Sequence, residues 1–156
     1  MTSLTRFAAT VLICITAAPL WAQNYAVSRT IDIANPNGEV WDVIGDFCDI
    51  DDWHPMITGC KLKAKDGAVH RLLTLENGAT VLEKLIAVEP GLSYTYKIVE
   101  SPLPLKKYTS TLSITGGATA TVTWSGNFST DDDSLEGLFT DIYNTGLNAI
   151  GDRFTQ

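Results

Sequence analysis

The chain is poor in the residues that build metal and nucleophile sites. Its 156 residues include three cysteines and two histidines. Cys14, Cys48, Cys60, His54 and His70 form no zinc spacing. No glycine-rich loop follows a strand to cradle phosphate, and no serine stands in a nucleophile elbow. The acidic runs at Asp49, Asp51 and Asp52 and at Asp131–Asp133 lack the pattern of a calcium loop. Helix capping and solubility account for them. The sequence therefore calls for no metal and no cofactor. Positive charge is scarce as well: 11 lysines and arginines against 18 acidic residues, a net charge of −7. That balance repels phosphate backbones and anionic headgroups, which argues against nucleic acid or a membrane surface as the main partner. It leaves an apolar or amphipathic small molecule open. No linker, low-complexity tract or repeat interrupts Tyr25 to Phe154, so one domain is expected.

What is present begins with a leader. Met1–Arg6 is short and weakly basic, Phe7–Ala18 is almost wholly apolar, and Pro19-Leu20-Trp21-Ala22 ends on a small residue before Gln23. This order is that of a cleaved secretory signal. The apolar run is shorter than the roughly 20 residues of a spanning helix. A retained anchor and a lipid attached at Cys14 are the alternatives. The expected division is a signal peptide over 1–22 and a folded domain over 23–156. That domain is exported, periplasmic or secreted, free of the membrane after cleavage, and a monomer or weak dimer. Loss of Arg6 takes the charge from −7 to −8. Cys48 and Cys60 then remain. In an oxidising compartment they form a disulfide, or they stay two small buried hydrophobes.

Hydrophobic periodicity sets the order of elements. Tyr25–Ala34 alternates and reads as a strand. Asn35 reads as a helix cap and Pro36 as the first helical residue, with Val40, Val43, Ile44 and Phe47 at helical spacing. A second short helix or turn is expected over Asp49–His54. From Ile57 the period becomes two, with Lys61, Lys63 and Lys65 on the wet face. Asp66-Gly67, Asn77-Gly78, Pro90-Gly91 and Gly116-Gly117 punctuate six successive strands. The last stretch, with Asp133 as its cap and Glu136 three residues on, has Leu135, Phe139, Ile142, Gly146 and Ile150 recurring as in a long amphipathic helix. The fold class is α+β: a seven-stranded antiparallel sheet curled around the C-terminal helix, with two short helices after the first strand.

Four pieces, in order, carry a family resemblance: Asn35-Pro36 with Val40-Trp41 and Asp46-Phe47; Trp53-His54-Pro55 followed by Cys60; Glu83-Lys84-Leu85 with Tyr94 and Tyr96; and Pro102-Leu103-Pro104 with Tyr108 and Val122-Thr123-Trp124. Together they resemble the SRPBCC helix-grip superfamily. It includes the birch-pollen allergens, START lipid-transfer domains, abscisic-acid receptors and bacterial polyketide cyclase/dehydrase-like proteins. The resemblance implies the helix-grip fold and a cavity between sheet and long helix. It leaves function open, because this scaffold hosts binding, transport and enzyme roles.

The strand parity of Tyr94, Tyr96 and Ile98 also fits Tyr108, Ser110, Leu112 and Ile114, and Val122, Trp124 and Phe128. If that face points inward it lines a ligand pocket, or else fills a core with no void. Glu83 stands on the pocket face, as the resemblance to the abscisic-acid receptors implies, or is salt-bridged on the surface to Lys97 or Arg71. A buried Glu83 would have a raised pKa. His54, beside Trp53 near the expected mouth, suits proton transfer or turn capping. His70 reads as a surface residue. Glu83, Tyr94, Tyr96, Tyr108, Trp124, Trp53 and His54 are thus the candidate ligand contacts. Glu83, His54 and Tyr108 are the candidate acid/base groups of an enzyme. The favoured reading is an exported binding protein for a small apolar or amphipathic molecule. The alternatives are a cyclase/dehydratase-like enzyme and a periplasmic accessory protein. Export is checked by intact mass of the exported fraction: the mature chain is expected to begin at or near Gln23, and a mass retaining 1–22 contradicts it.

Overall fold

The computed structural model describes residues 22–155; the expected leader, Ala22 apart, lies outside them. Strand β1 (Gln23–Ile33) leads through two short helices, α1 (Asn37–Ile44) and α2 (Ile50–Trp53), into six strands. These are β2 (Ile57–Lys65), β3 (Ala68–Leu75), β4 (Thr80–Glu89), β5 (Ser93–Glu100), β6 (Leu105–Gly116) and β7 (Ala120–Thr130). Helix α3 (Ser134–Arg153) closes the chain. The sheet is antiparallel in the order β1-β7-β6-β5-β4-β3-β2. Consecutive hairpins explain all of it except β1, which pairs with β7 at the far edge. Helices α1 and α2 therefore connect the two edges of the sheet, and α3 packs against β1 and β7. This is the expected seven-stranded helix-grip arrangement.

The inward parity is as expected. Tyr94, Tyr96, Tyr108, Ser110, Leu112, Ile114, Val122, Trp124 and Phe128 are all buried, as are Phe139, Tyr143, Leu147 and Ile150 of α3. Burying one such side chain contributes about 1.5–3 kcal/mol, so this shared face dominates stability. Strand β5 pairs with β6 only over Ser93–Lys97. Beyond that point Ile98–Glu100 and Leu105–Tyr108 diverge around the Ser101–Pro104 loop, which leaves room for an opening.

Three local expectations are corrected. Helix α1 starts one residue late, with Pro36 at the N-cap. The Asn35 carbonyl is held by Ala120 N–H (3.0 Å), and its side chain donates to Glu39 instead of capping (3.1 Å). At α3 the capping bonds belong to Asp132, whose Oδ1 accepts from Ser134 N–H and Oγ–H at 3.0 and 2.6 Å; Asp133 makes no cap bond. His70 is buried, at 4% exposure, although it lies on the outer face of β3. Lys63 and Lys84 stand directly across from it on the two neighbouring strands, and their aliphatic stems shield a ring in that position.

Cys48 and Cys60 are joined, with Cα atoms 5.6 Å apart and a sequence separation of 12. The bridge fastens the segment after α1 to edge strand β2. Asp51 reinforces it by accepting from Cys60 N–H at 2.8 Å. In the chain-entropy account, closing a loop this short stabilises by about 3 kcal/mol. Replacing both cysteines by alanine should lower the unfolding free energy by about that amount. Urea denaturation with and without reductant measures it, and the double variant should lose its sensitivity to reductant.

Candidate functional site

Between the inner face of the sheet and α3 lies a cleft of about 100 Å³, partly open to solvent. Tyr96, Tyr108, Trp124 and Glu83 face it from the sheet, His54 and Met56 from the α2 exit, and Phe139, Ile142 and Tyr143 from α3. Ser101 and Leu103 of the diverging β5–β6 connection complete the wall. Typical small-molecule pockets span roughly 300–1,000 Å³, so this cleft is narrow. The aromatic rings themselves occupy much of the space. Tyr94 and Trp53, both expected at the pocket, are buried beside it and do not line it. Tyr94 packs on Phe47 and Tyr96, with ring centroids 5.6 and 6.1 Å apart.

Glu83 is both buried and ion-paired, which joins two readings that the sequence set apart. Its Oε2 accepts from Arg71 Nε at 2.5 Å, and both side chains are withdrawn from water. Burial pushes the Glu83 carboxyl above the usual range, while Arg71 pulls it part of the way back. Burial likewise opposes the charge on Arg71, and Glu83 with Tyr94 and Tyr96 more than offsets it, leaving the guanidinium's pKa raised. Arg71 Nη1 donates to the Phe47 carbonyl at 2.5 Å. Its planar face lies 4.1 Å from the Phe47 ring centroid and 4.8 Å from that of Tyr96. Glu83 lines the cleft, and its second carboxylate oxygen makes no hydrogen bond to the protein.

The other polar groups form one hydrogen-bonded chain whose direction is fixed by its end. Ser110 Oγ donates to the Ser125 carbonyl (2.7 Å). Tyr143 must then donate to Ser110 (3.1 Å), and Tyr108 to Tyr143 (2.7 Å). Trp124 Nε1 shares its hydrogen between Tyr96 and Ser110, each at 3.0 Å. Burial raises all three phenols, Tyr143 to about 12 and Tyr96 and Tyr108 well above their ordinary value. They are neutral hydrogen-bonding groups at physiological pH. Tyr143 was not singled out in the sequence, though its spacing from Phe139 and Leu147 is that of one helix face. Two glycines make the close approach possible. A Cβ on Gly146 would meet His54 at 2.6 Å and Trp124 at 2.8 Å, and one on Gly126 would meet the Tyr143 hydroxyl at 2.1 Å.

His54 is fully engaged. Nε2 lies 3.1 Å from the Ile142 carbonyl, so it donates, and Nδ1 accepts from Met56 N–H at 3.2 Å. That assignment requires the neutral ring. Burial lowers its pKa, against the Ile142 hydrogen bond, which raises it. Below the ordinary value of 6.5 the unfolded chain takes up a proton that the folded ring resists. Stability is therefore complete above that pH and declines as the pH falls toward the folded value. Unfolding free energy measured from pH 7 down to pH 5 should fall more steeply in the native protein than in the His54→Gln variant. Equal slopes would contradict the buried neutral assignment.

The profile of a family described as polyketide cyclase/dehydrase and lipid transport matches residues 25–155. No curated protein matches the chain. Among solved structures, the protein XoxI from Bacillus cereus is 32% identical over 83% of this chain and 94% of its own, with a TM-score of 0.76. An aromatase/cyclase from a Streptomyces species shares the fold at 15% identity, over 84% of this chain and 93% of its own, with a TM-score of 0.72. So does a START superfamily protein from Mycobacterium smegmatis, at 17% identity, over 83% and 96%, with a TM-score of 0.68. With the cleft and the helix-grip architecture, the match over nearly the whole described chain shows that this protein belongs to the polyketide cyclase/dehydrase and lipid-transport family.

Proposed function

We propose that this is an exported binding protein that holds a small apolar or amphipathic molecule in the cleft between sheet and α3. The observation that carries the reading is the cleft's lining: aromatic and aliphatic side chains around the Glu83 carboxylate, whose second oxygen makes no hydrogen bond to the protein. Such a slot favours a flat or narrow apolar group bearing one hydrogen-bond donor. A cleft of about 100 Å³ is smaller than the cavity of about 150 Å³ that holds benzene, so it takes the tip of a molecule as it stands and a whole ring once its rim shifts. Met56, Leu103 and Ile142 at its rim are only partly buried and leave room for adjustment. Export rests on the leader and on the disulfide, which suits an oxidising compartment.

A second reading, cyclase/dehydratase-like catalysis, is favoured by the family and by the raised carboxyl of Glu83 in the cleft. It needs a second acid or base. His54 has both nitrogens occupied, and Tyr108 gives its proton to Tyr143, so neither is poised to supply one. Binding is accordingly the better-supported function.

The ion pair governs how the site is tested. Glu83→Gln keeps the size and shape of the side chain. With Arg71 buried beside it, that change alone strands a charge and should destabilise by about 3–5 kcal/mol. Pairing it with Arg71→Met removes both charges and should recover most of the loss. Phenol and toluene, titrated against tryptophan fluorescence, then separate shape from polarity. The native protein is expected to bind phenol about 10-fold or more tightly than toluene, the worth of a hydrogen bond to a charged group. The double variant should bind both alike. Equal binding by the native protein contradicts the role of Glu83, and binding of neither contradicts the pocket.

A further inference from the structure

The net charge of this protein conceals how its charges are distributed. All seven lysines lie on strands β2 to β6. Six of them point away from the core, on the outer face of the sheet. Lys63 stands opposite His70, His70 opposite Lys84, and Lys84 opposite Lys97, in one continuous row across four strands. Lys61 and Lys65 flank that row on β2, and Lys107 extends it on β6. Lys84 is half-buried and the others are exposed. The ion pairs among the described residues are Arg71–Glu83 and Lys106–Asp131, so none of these six lysines is neutralised by a neighbouring carboxylate. Glu89 and Glu100 share the face only at strand ends.

Lysines on β2 alone would be ordinary protection of an edge strand. Lys84 and Lys97 are different, because β4 and β5 are interior strands. Like charges directly opposite each other across a strand pair are destabilising, and here they are neither paired nor spread apart. The acidic residues of α1, α2 and α3 lie on the other side of the sheet. A packed layer is about 10 Å thick, about one Debye length at physiological salt. A surface approaching the lysines is therefore farther from those acidic residues than from the lysines, and across solvent that extra distance weakens their repulsion. The face is broad and regularly spaced, with neighbouring strands about 4.8 Å apart. Exposed Ile86 and Val99 sit at the irregularities of the β4–β5 pair. A cationic array spread over several strands, with apolar residues beside it, reads charge density and not shape.

We propose that the outer face of β2–β6 docks the protein on an anionic lipid surface, with the row Lys63–His70–Lys84–Lys97 at its centre. Net repulsion from such a surface acts at long range. Contact is governed by the local cluster, and clusters of four to eight basic residues are the sort that bind anionic bilayers.

The test is co-sedimentation of the mature protein with large vesicles of phosphatidylcholine, alone or mixed with an equal part of phosphatidylglycerol. Binding should require phosphatidylglycerol and should disappear at about 0.5 M salt, where screening is nearly complete at contact distances. Lys97→Gln should weaken it about fivefold, and Lys84→Gln with Lys97→Gln about 25-fold, the usual effect per lysine at such a surface. Arg153→Gln, the same charge change on α3, should leave it unchanged. The melting temperature of the double lysine variant should hold or rise, since repulsion is relieved. Equal binding to pure phosphatidylcholine overturns the proposal. So does equal loss in Arg153→Gln, or vesicle binding that survives the double variant while its melting temperature falls, which would give the lysines a packing role. Salt-sensitive self-association that the lysine variants abolish, without vesicle binding, would make the occupant a second copy of the chain and overturn it as well.

Discussion

One buried guanidinium holds the parts of this molecule in register. Arg71 is completely withdrawn from solvent and reaches three elements from its place on β3. It grips β4 through Glu83, the α1–α2 connection through the Phe47 carbonyl, and β5 through the rings of Tyr94 and Tyr96. A buried charge is tolerated only when paired and hydrogen-bonded, and Arg71 comes close to that condition. Its Nη2 has no hydrogen-bond partner, and the aromatic faces stacked around it supply the remaining electrostatic compensation. The aromatic cluster on this side of the core is therefore not interchangeable with aliphatic packing of equal volume. Cys48 follows Phe47 directly, so the disulfide and the guanidinium restrain the same short segment from two directions.

The cleft inherits its character from this arrangement. Arg71 occupies one carboxylate oxygen of Glu83 and leaves the other without a hydrogen bond to the protein. A carboxylate without Arg71 would be driven toward the neutral form by burial. With it, the site presents an anchored acceptor in apolar surroundings. The hydroxyl chain of Tyr108, Tyr143 and Ser110 ends on a backbone carbonyl and is satisfied internally. It fixes the shape of the wall and contributes little free polarity. Narrowness and an anchored acceptor are thus two results of one dense, hydrogen-bonded aromatic core.

Much of the fold was legible because strand alternation and hairpin turns are local signals. The inward faces of β5, β6 and β7 could be read from one parity, starting at Tyr94, Tyr96 and Ile98. The site was legible only in part. Arg71 entered as a possible surface partner, since an arginine in a strand normally stays wet and nothing local shows that the Phe47 carbonyl will meet it. His70 was misread for the complementary reason: its outer-face parity was right, but cover from Lys63 and Lys84 depends on strand order. Tyr94 and Trp53 have the inward orientation expected of them, yet a sequence cannot tell a ring that lines a void from one that fills space behind it. Tyr143 was passed over when the apolar stripe of α3 was drawn through Ile142. The packed stripe runs one position further round the helix. The lysine row was invisible because total charge and cross-strand register are separate quantities.

The pairing of β1 with β7 has a consequence in time. Gln23 lies opposite Thr130, and Ile33 opposite Ala120, so among the described residues the first strand has its only partner near the far end of the sequence. Contacts so remote in sequence form late and slowly. A chain emerging N-terminus first cannot complete its sheet until almost all of it is available, and α3, which packs on β1 and β7, must wait longer still. Through synthesis the leading strand stays without its native partner. The cleft, walled by β4 to β7 and α3, is therefore completed only with the last segments to emerge.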